Sequence, residues 1–357
     1  MPSSTRDQAP PQYTAGTVSA PRFEPSATGG AAAVASLERA PVVRPSLLGH
    51  LRIARVDHWV KNVFVLPGVL AAIALVPESA APSLVGRLLL GLLAVGLVAS
   101  SNYTINEVID APFDRHHPSK RLRPVPSGQV SIPLAYVQWL GLGAAGLVLS
   151  WMLGAAFGWT MLALWTMGIV YNVRPLRTKD LPYLDVLSEA VNNPLRMCAG
   201  WFLATETHVP PATLLLSYWM VGCYFMAIKR YAEVRQIGQR DAVAAYRRSL
   251  AWFTPERLLV AITFYGSAAM LFFGAFIMRY RLELILSFPF VALVMAQYLG
   301  LGFRDDSAAQ NPERLYREPG LMASVFACTV VMAVLFFLNL PVLHTIVSPD
   351  FLPSLGR

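Results

Sequence analysis

Charged residues are scarce in this sequence. Asp, Glu, Lys and Arg make up 14% of its 357 residues, whereas a soluble domain of this length carries about a quarter. Hydrophobic residues reach 55% of the chain. The shortage of charge excludes an ordinary soluble domain and predicts a membrane protein.

Cysteine is scarce as well. Cys198, Cys223 and Cys328 lie in apolar segments and lack the spacing of metal ligands, which argues against a disulfide framework or a zinc site. No apolar segment of the secretory type begins the chain, so we expect no cleaved signal. The apolar segments themselves therefore carry most of the information about the fold.

Apolar segments near the ~17 to 25 residues that cross a bilayer recur along the chain. Their pattern predicts an all-α, polytopic membrane protein with about nine transmembrane helices. We place the nine spans at residues 60–76, 84–105, 132–153, 155–171, 184–205, 211–228, 258–278, 284–303 and 320–345.

The two ends of the chain differ from this middle region. Residues 1–46 are rich in Ala, Pro, Ser, Thr and Gly, a composition that predicts a disordered cytoplasmic tail. We expect a transmembrane catalytic domain over residues 47–345 and a short external tail over residues 346–357.

The net charge of +8 raises the question of a nucleic-acid partner. The basic residues, however, concentrate in alternate loops, as the positive-inside rule requires of a multi-pass protein. We therefore predict no nucleic-acid partner, a location in the inner (cytoplasmic) membrane, a cytoplasmic N-terminus and an external C-terminus. The polar residues lie mainly in the cytoplasmic loops, which predicts an active site at that face.

Acidic residues recur where the second span ends. Asn106, Asp110 and Asp114 are four residues apart and Glu107 precedes Asp110 by three, so a helix would place them along one side. Oxygen ligands on neighbouring turns suit Mg²⁺, which takes one or two carboxylates and completes its shell with water and phosphate. We predict that all four bind Mg²⁺ and that Asp110 and Asp114 are catalytic. Pro112 predicts a kink or an end of the helix before Asp114.

Basic side chains suited to phosphate oxygens accompany these acids. Any one of them also fits a role in membrane topology alone, and Lys61 is an example. The candidates for substrate or phosphate binding in the loops are Lys61, Lys120, Arg121, Tyr171, Arg174, Arg177, Lys179, Lys229, Arg230, Tyr231 and Glu233.

Ionisable residues also lie within the fifth span, where they are costly and normally face the interior of the bundle. Asp185, Glu189, Asn193 and Arg196 are spaced by three and four residues, which keeps them on one helical face. We predict that the two acids are catalytic and that Asn193 and Arg196 bind substrate. A purely structural pairing of the acids with Arg196 remains open.

Acids able to hold Mg²⁺ beside lysines and arginines able to hold phosphate indicate chemistry on a diphosphate. A metal-bound diphosphate is a good leaving group, and the cations neutralise the charge that develops as it departs. A site of this kind at a membrane surface implies one lipid substrate and one water-soluble substrate.

Taken together, these motifs resemble the UbiA superfamily of intramembrane prenyltransferases over about residues 48–345. The first motif of that family is Asn-Asp-x₂-Asp-x₃-Asp, and here it reads Asn106-Glu107-x₂-Asp110-x₃-Asp114, with the charge kept by the glutamate. The resemblance implies a UbiA-like helical bundle and a requirement for Mg²⁺.

The second motif departs from the commonest pattern of the family. Aromatic prenyltransferases of the family carry a second Asp-x₃-Asp set after span six, where this sequence reads KRYAE. KRYAE, WVKN and YNVRPLRTKD resemble instead the branch of decaprenyl-phosphate phosphoribosyltransferases. In this interpretation Asp185 and Glu189 hold ribose hydroxyls or a second metal.

The second resemblance implies a specific reaction. It is the transfer of 5-phosphoribose from phosphoribosyl diphosphate to a polyprenyl phosphate, with release of diphosphate. The product leads toward polyprenyl-phosphate arabinose, for D-arabinosylation of a cell-envelope glycan or of a nodulation-type lipochitooligosaccharide.

Two other functions remain open at this point. An aromatic or quinone-type prenyltransferase would ionise a polyprenyl diphosphate on the same acids, although KRYAE argues against the second metal of that chemistry. A transporter would line a pathway with its buried charges, although the polar residues here cluster at one face. The sequence also leaves an oligomer open.

Overall fold

The computed structural model describes residues 44–115, 120–238, 247–305, 307–310 and 312–347, without the side chains of residues 312–314. The chain divides into two units, Met1–Val42 and Val43–Arg357, and all described residues belong to the second. The predicted tail over residues 1–46 therefore lies outside the described residues except for its last three positions. The predicted C-terminal tail over residues 346–357 lies outside them beyond residue 347.

Helices account for all the regular structure of the described residues, which confirms the predicted all-α class. Short 3₁₀ helices connect several of the α-helices, and the longest of them covers Val56–Val65. The α-helices are α1 Leu47–Ile53, α2 Leu66–Leu75, α3 Leu84–Asp114, α4 Ile132–Leu153, α5 Ala155–Asn172, α6 Leu184–Ala190, α7 Asn192–Ala204, α8 Ala212–Ile237, α9 Pro255–Tyr280, α10 Phe288–Gly302, α11 Pro319–Phe337 and α12 Pro341–Val347.

Seven helical segments within the described residues are long and apolar enough to cross a membrane. They run over Leu47–Leu75, Leu84–Asp114, Ile132–Leu153, Ala212–Ile237, Pro255–Tyr280, Leu282–Gly302 and Pro319–Phe337. The other two predicted spans, at residues 155–171 and 184–205, are helical but do not meet these criteria, so the count of nine is not confirmed. The chain is nevertheless a multi-pass membrane protein.

The segment predicted as the fifth span consists of two shorter helices, α6 and α7, which meet at Val191. Pro194 contributes to this break because its ring nitrogen has no hydrogen to donate to the carbonyl of Ala190. Each half is too short to cross a bilayer alone. The break places Asp185 and Arg196 on different helices.

Helix α3 continues through Pro112 to Asp114, so the expectation that this proline ends the helix was wrong. Pro112 lies in the last turn, where only one backbone hydrogen bond is lost. The next turn still closes normally, since the amide of Arg115 donates to the carbonyl of Ala111 at 3.1 Å. The acidic stripe therefore lies on a continuous helix.

Close packing of α2 against α7 fixes the centre of the bundle. A Cβ added to Gly68 would lie 1.9 Å from the carbonyl oxygen of Met197, and one added to Gly200 would lie 1.9 Å from that of Val65. Small residues permit such a close approach of two backbones, as is common between helices in membranes. Helix α3 packs on α4 and α5, and α8 packs on α9.

Candidate active site

The Lys179 ammonium is the centre of the first polar cluster. Lys179 lies on the 3₁₀ helix Thr178–Asp180 and is 6% exposed. Its Nζ donates to Oδ1 of Asp110 at 2.5 Å, to Oδ1 of Asn172 at 2.9 Å and to Oδ1 of Asn106 at 3.2 Å. Burial lowers the pKa of Lys179 to about 8, against the opposing effect of Asp110. Three side-chain oxygens from two helices thus surround one cation.

Arg177 adds a second cation to this Lys179 cluster. Its Nη2 donates to Oδ1 of Asp110 at 3.2 Å, and its Nε donates to Oδ2 of Asp180 at 2.9 Å. Arg177 and Tyr183 have positive φ angles of 28° and 62°, so the connection between α5 and α6 holds two residues in a conformation that L side chains rarely adopt. Such backbone conformations concentrate at functional sites.

The other two acids of the predicted metal motif have different partners. Glu107 is 1% exposed; its Oε2 accepts from Arg55 at 3.2 Å and its Oε1 accepts from the amide of Val125 at 3.1 Å. Asp114 pairs with Arg123 at 2.6 Å. The helical repeat explains this separation, because eight residues at 3.6 per turn rotate Asp114 by about 80° from Asn106. The structure brings Asn106 and Asp110 together and directs Glu107 and Asp114 elsewhere.

A second polar cluster surrounds Asp185, which is fully buried. Its Oδ2 accepts from Nε of Arg230 at 3.0 Å and from the Ser249 hydroxyl at 3.2 Å. Arg230 also donates from Nη1 to Glu233 at 2.7 Å. The other carboxylate oxygen, Oδ1 of Asp185, has no partner among the described residues. A buried acceptor without a partner is costly, so this atom is suited to accept a hydrogen bond from a ligand.

Arg247 connects the Lys179 cluster to the Asp185 cluster. Its Nη2 donates to the Tyr171 hydroxyl at 2.7 Å, and its Nε lies 3.3 Å from the carbonyl oxygen of Lys179 and 3.7 Å from Oδ2 of Asp185. Nothing in the sequence singles out Arg247, because it lies among several basic residues that the positive-inside rule already explains. Ser249 and Arg123 were missed for the same lack of a local signal.

Three further predicted residues approach the Asp185 cluster. Lys229, on α8, is influenced electrostatically by Glu233, Glu189 and Lys61. Glu189 is half-buried, and its side chain has no ion pair among the described residues. Glu189 follows Asp185 by about one turn of α6, and Lys229 precedes Glu233 by about one turn of α8.

The remaining predicted residues are more dispersed. Arg196 makes no ion pair with Asp185 or Glu189 in the described part of the chain; its buried Nε has no partner there and its Nη1 contacts the carbonyl of Asn192. Tyr231 packs edge-on against Phe303. Asn193 packs close to Gly222 of α8. The structural pairing of the acids with Arg196 is therefore absent.

Loop positions complete the set of predicted residues. Lys120 lies near Asp114 and Arg123, and burial lowers its pKa. Arg121 and Arg174 are exposed. The structure thus collects part of the predicted site into two adjoining clusters and leaves Arg121, Arg174, Asn193 and Tyr231 outside them.

Two of the four predicted metal ligands, Asn106 and Asp110, lie close enough together to contact one cation. Within the described residues there is no group of three or more His, Cys, Asp or Glu side chains arranged to hold a metal ion. The oxygens of Asn106 and Asp110, however, already surround a cation, the Lys179 ammonium, and amide and carboxylate oxygens are the ligands that Mg²⁺ takes. This pair is the part of the predicted motif that the fold offers to an ion.

Comparison with known proteins agrees with this arrangement. Residues 64–325 match the UbiA prenyltransferase family. The decaprenyl-phosphate phosphoribosyltransferase of Mycobacterium tuberculosis is 32% identical over 227 residues, which cover 63% of this chain and 72% of that protein. The nodulation protein NoeC of Azorhizobium caulinodans is 29% identical over 224 residues, covering 62% of this chain and 69% of that protein.

Solved structures share the fold. A UbiA homolog from Archaeoglobus fulgidus bound to GPP and Mg²⁺ superposes with a TM-score of 0.61 at 19% identity, covering 80% of this chain and 99% of that one. The same homolog has been solved with Cd²⁺, with a TM-score of 0.58 at 22% identity over 80% of this chain and 99% of that one. At these identities the likeness supports the helical bundle alone.

Proposed function

The chain belongs to the UbiA prenyltransferase family, and we propose that it transfers 5-phosphoribose from phosphoribosyl diphosphate to a polyprenyl phosphate, releasing diphosphate. The two arginines at Asp185 carry this proposal. Arg230 and Arg247 lie 3.0 and 3.7 Å from Oδ2 of that carboxylate, and cations held in this place leave less room for a second metal than for phosphate oxygens. The relatives named decaprenyl-phosphate phosphoribosyltransferase support the same substrate pair.

In this proposal the Lys179 cluster binds the diphosphate. Asn106 and Asp110 would hold Mg²⁺, which when bound neutralises charge on the leaving group. Lys179 and Arg177 supply donors for the diphosphate oxygens as negative charge develops there. Asp114 pairs with Arg123, and Glu107 pairs with Arg55. These two ion pairs position this end of α3.

The Asp185 cluster positions the sugar. Oδ1 of Asp185, which lacks a partner among the described residues, accepts a hydrogen bond from a ribose hydroxyl. The bond from ribose C1 to the diphosphate oxygen breaks with its electron pair on diphosphate, and a polyprenyl phosphate oxygen forms the new bond to C1. That oxygen is already anionic, so the step needs no strong general base. Glu189 and Lys229 border the sugar and its 5-phosphate.

The cellular setting follows from the same proposal. The active site and N-terminus face the cytoplasm, and the C-terminus lies outside an inner membrane. The product serves as a precursor of polyprenyl-phosphate arabinose, for D-arabinosylation of a cell-envelope glycan or of a nodulation-type lipochitooligosaccharide. The match to NoeC supports the second of these settings and the mycobacterial matches support the first.

An assay of the purified protein with two donor–acceptor pairs tests the proposal. One pair is polyprenyl phosphate with labelled phosphoribosyl diphosphate, and the other is polyprenyl diphosphate with an aromatic acid. We expect label to enter the lipid with Mg²⁺ in the first assay and no product in the second. Product in the second assay alone would show an aromatic prenyltransferase and refute the proposal.

A further inference from the structure

Two cavities lie along one seam between the N-terminal segment and α3. The first, of about 690 Å³, is lined at the start of the 3₁₀ helix Val56–Val65 by charged residues that include Arg52, Arg55, Glu107 and Arg123. The second, of about 420 Å³, is lined mainly by apolar residues of the same 3₁₀ helix and of α3. We name them the basic cavity and the apolar cavity. Neither contains Lys179 or Asp185.

The basic cavity retains unused hydrogen-bond donors. Arg55 donates from Nη2 to Glu107 at 3.2 Å, and Arg123 donates from Nη1 to Asp114 at 2.6 Å. A guanidinium has five N–H donors, so both arginines keep donors without a hydrogen-bond partner among the described residues. Arg52 is exposed, and its side chain has no ion pair in the described part of the chain.

Negative charge in the basic cavity does not cancel these donors. Three arginines line the cavity with two carboxylates, those of Glu107 and Asp57, and the carboxylate of Asp114 pairs with Arg123 from outside the lining. The Asp57 side chain is 76% exposed and contacts His58 at 2.9 Å, so water screens it. Arginines with open donors suit a phosphate group, which they can bind in a bidentate manner.

The apolar cavity has the opposite character. Leu66, Leu89 and Leu93 line it, and all three have exposed side chains, at 41%, 66% and 41%. Trp59 also lines the apolar cavity: its Nε1 donates to the Ser100 hydroxyl at 2.9 Å, and a Cβ on Gly96 would come within 2.7 Å of its ring. The apolar cavity thus continues the seam into the membrane-spanning part of α3.

The length of the seam suits a long ligand. The ten residues of the 3₁₀ helix rise about 20 Å at roughly 2.0 Å each. On the facing helix, Leu93 and Glu107 are about 21 Å apart at roughly 1.5 Å per residue. A ligand that occupies both cavities therefore has an anionic head and an apolar chain of at least this length.

We infer that this seam binds the lipid substrate, with the monophosphate of polyprenyl phosphate on Arg52, Arg55 and Arg123 and the isoprenoid chain along the apolar cavity. The inference rests on the proposed function. The position is suited to the reaction, because Glu107 is three residues before Asp110 on α3 and Arg123 pairs with Asp114. The head of the lipid would thus lie beside the end of α3 that carries Asp110 of the Lys179 cluster.

Arg52→Ala in lipid nanodiscs tests the basic cavity. We expect the KM for polyprenyl phosphate, and the Kd for radiolabelled polyprenyl phosphate without the second substrate, to rise about tenfold, the loss of one charged hydrogen bond. The KM for phosphoribosyl diphosphate should stay unchanged, and Arg52→Lys should recover part of the loss. Arg279→Ala, an exposed arginine at the far end of α9, is the matched control.

Leu93→Trp tests the apolar cavity by filling it. We expect a higher KM for long-chain polyprenyl phosphate and an unchanged KM for an analogue with a chain too short to reach Leu93. An unchanged KM for both chain lengths would overturn the placement of the chain.

The remaining outcomes separate the rival explanations. A rise in the KM for phosphoribosyl diphosphate in Arg52→Ala would assign the basic cavity to that substrate and overturn the inference. Equal displacement of the labelled lipid by phosphatidylglycerol would show a general anionic-lipid site and also overturn it. If the unaltered protein neither binds nor uses polyprenyl phosphate, the proposed function itself fails. If the unaltered protein does both and Arg52→Ala has the same KM and Kd for polyprenyl phosphate, only the placement of the lipid in the seam is refuted.

Discussion

Asp110 is the residue on which the Lys179 cluster depends, since its Oδ1 accepts from both Lys179 and Arg177. In a partly buried site such charged hydrogen bonds are stronger than neutral ones. Lys179 is also held by two neutral amides, those of Asn106 and Asn172. Charge at this site is therefore set by two carboxylates, Asp110 and Asp180, against two cations, Lys179 and Arg177, and Asp110 is the carboxylate that both cations share.

Asp110→Asn is expected to leave a folded, inserted protein with at least about 100-fold lower turnover, since it removes the carboxylate that orders two cations and offers an oxygen to Mg²⁺. Size-exclusion profile and transferase rate measure the two effects. Glu318→Gln, which removes a surface partner of Arg304, serves as the control. Near-normal turnover of Asp110→Asn with Mg²⁺ would rule out this assignment.

At the scale of elements, the site depends on a short segment that is distant in sequence. The 3₁₀ helix Arg248–Trp252 follows Arg247, whose guanidinium contacts α5 through Tyr171. The same segment contributes Ser249 to Asp185 on α6. Contacts from one segment to α5 and α6 connect the two clusters, so this segment should affect how the clusters are aligned for catalysis.

A double-mutant cycle on Arg247→Ala and Tyr171→Phe measures this alignment. We expect each single variant to reduce kcat/KM, and a coupling free energy of about 1.5 to 3 kcal/mol, the usual value for a hydrogen bond to a charged group. Additive effects of the two substitutions would show that the 2.7 Å contact has no role in catalysis.

The contact of α2 with α7 gives a second prediction at this scale. Gly200→Ala should destabilise the bundle by about 1 to 3 kcal/mol, because overpacking forces two backbones apart. The control is Gly274→Ala on α9, where an added Cβ meets nothing within 4 Å and where alanine is the better helix former. Thermal unfolding in detergent should show a lower Tm for the first variant only; equal Tm values would contradict the close contact.

At the scale of the whole molecule, the polar clusters and most of the basic loops lie at the same end of an apolar helical bundle. Both polar clusters lie at one end of the bundle, where α3 and α8 end and α6 begins, so that in the proposed reaction a water-soluble substrate would reach them from one side of the membrane. The same end carries most of the basic loops. Topology and catalysis thus draw on one set of arginines and lysines.

Reporter fusions check this orientation. Alkaline phosphatase joined after Val347 should be active, because we place the C-terminus outside, whereas green fluorescent protein at the same point should not fluoresce. A fusion after Arg304, in the loop following α10, should give the reverse pattern. Activity of alkaline phosphatase at Arg304 and not at Val347 would invert the predicted topology.

Much of this architecture was predictable because it depends on local composition. Apolar length and alternating basic loops predict a multi-pass helical protein, and motif spacing singled out Asn106 and Asp110. The predicted count of nine spans was not confirmed, since neither α5 nor the broken pair of α6 and α7 is among the seven segments long and apolar enough to cross a membrane. Sequence patterns report length and polarity but not where a helix breaks.

The sequence by itself determined the membrane class, the family and the presence of acids beside phosphate-binding cations, since each depends on residue type and spacing along one helix or loop. Only the tertiary structure decided which charges meet. Lys179 pairs with Asp110 across 69 positions, Arg247 with Tyr171 across 76, and Arg55 with Glu107 across 52. These pairings depend on how the helices pack. Along α3, the rotation of about 80° from Asn106 to Asp114 directs the residues of the predicted metal site toward different partners.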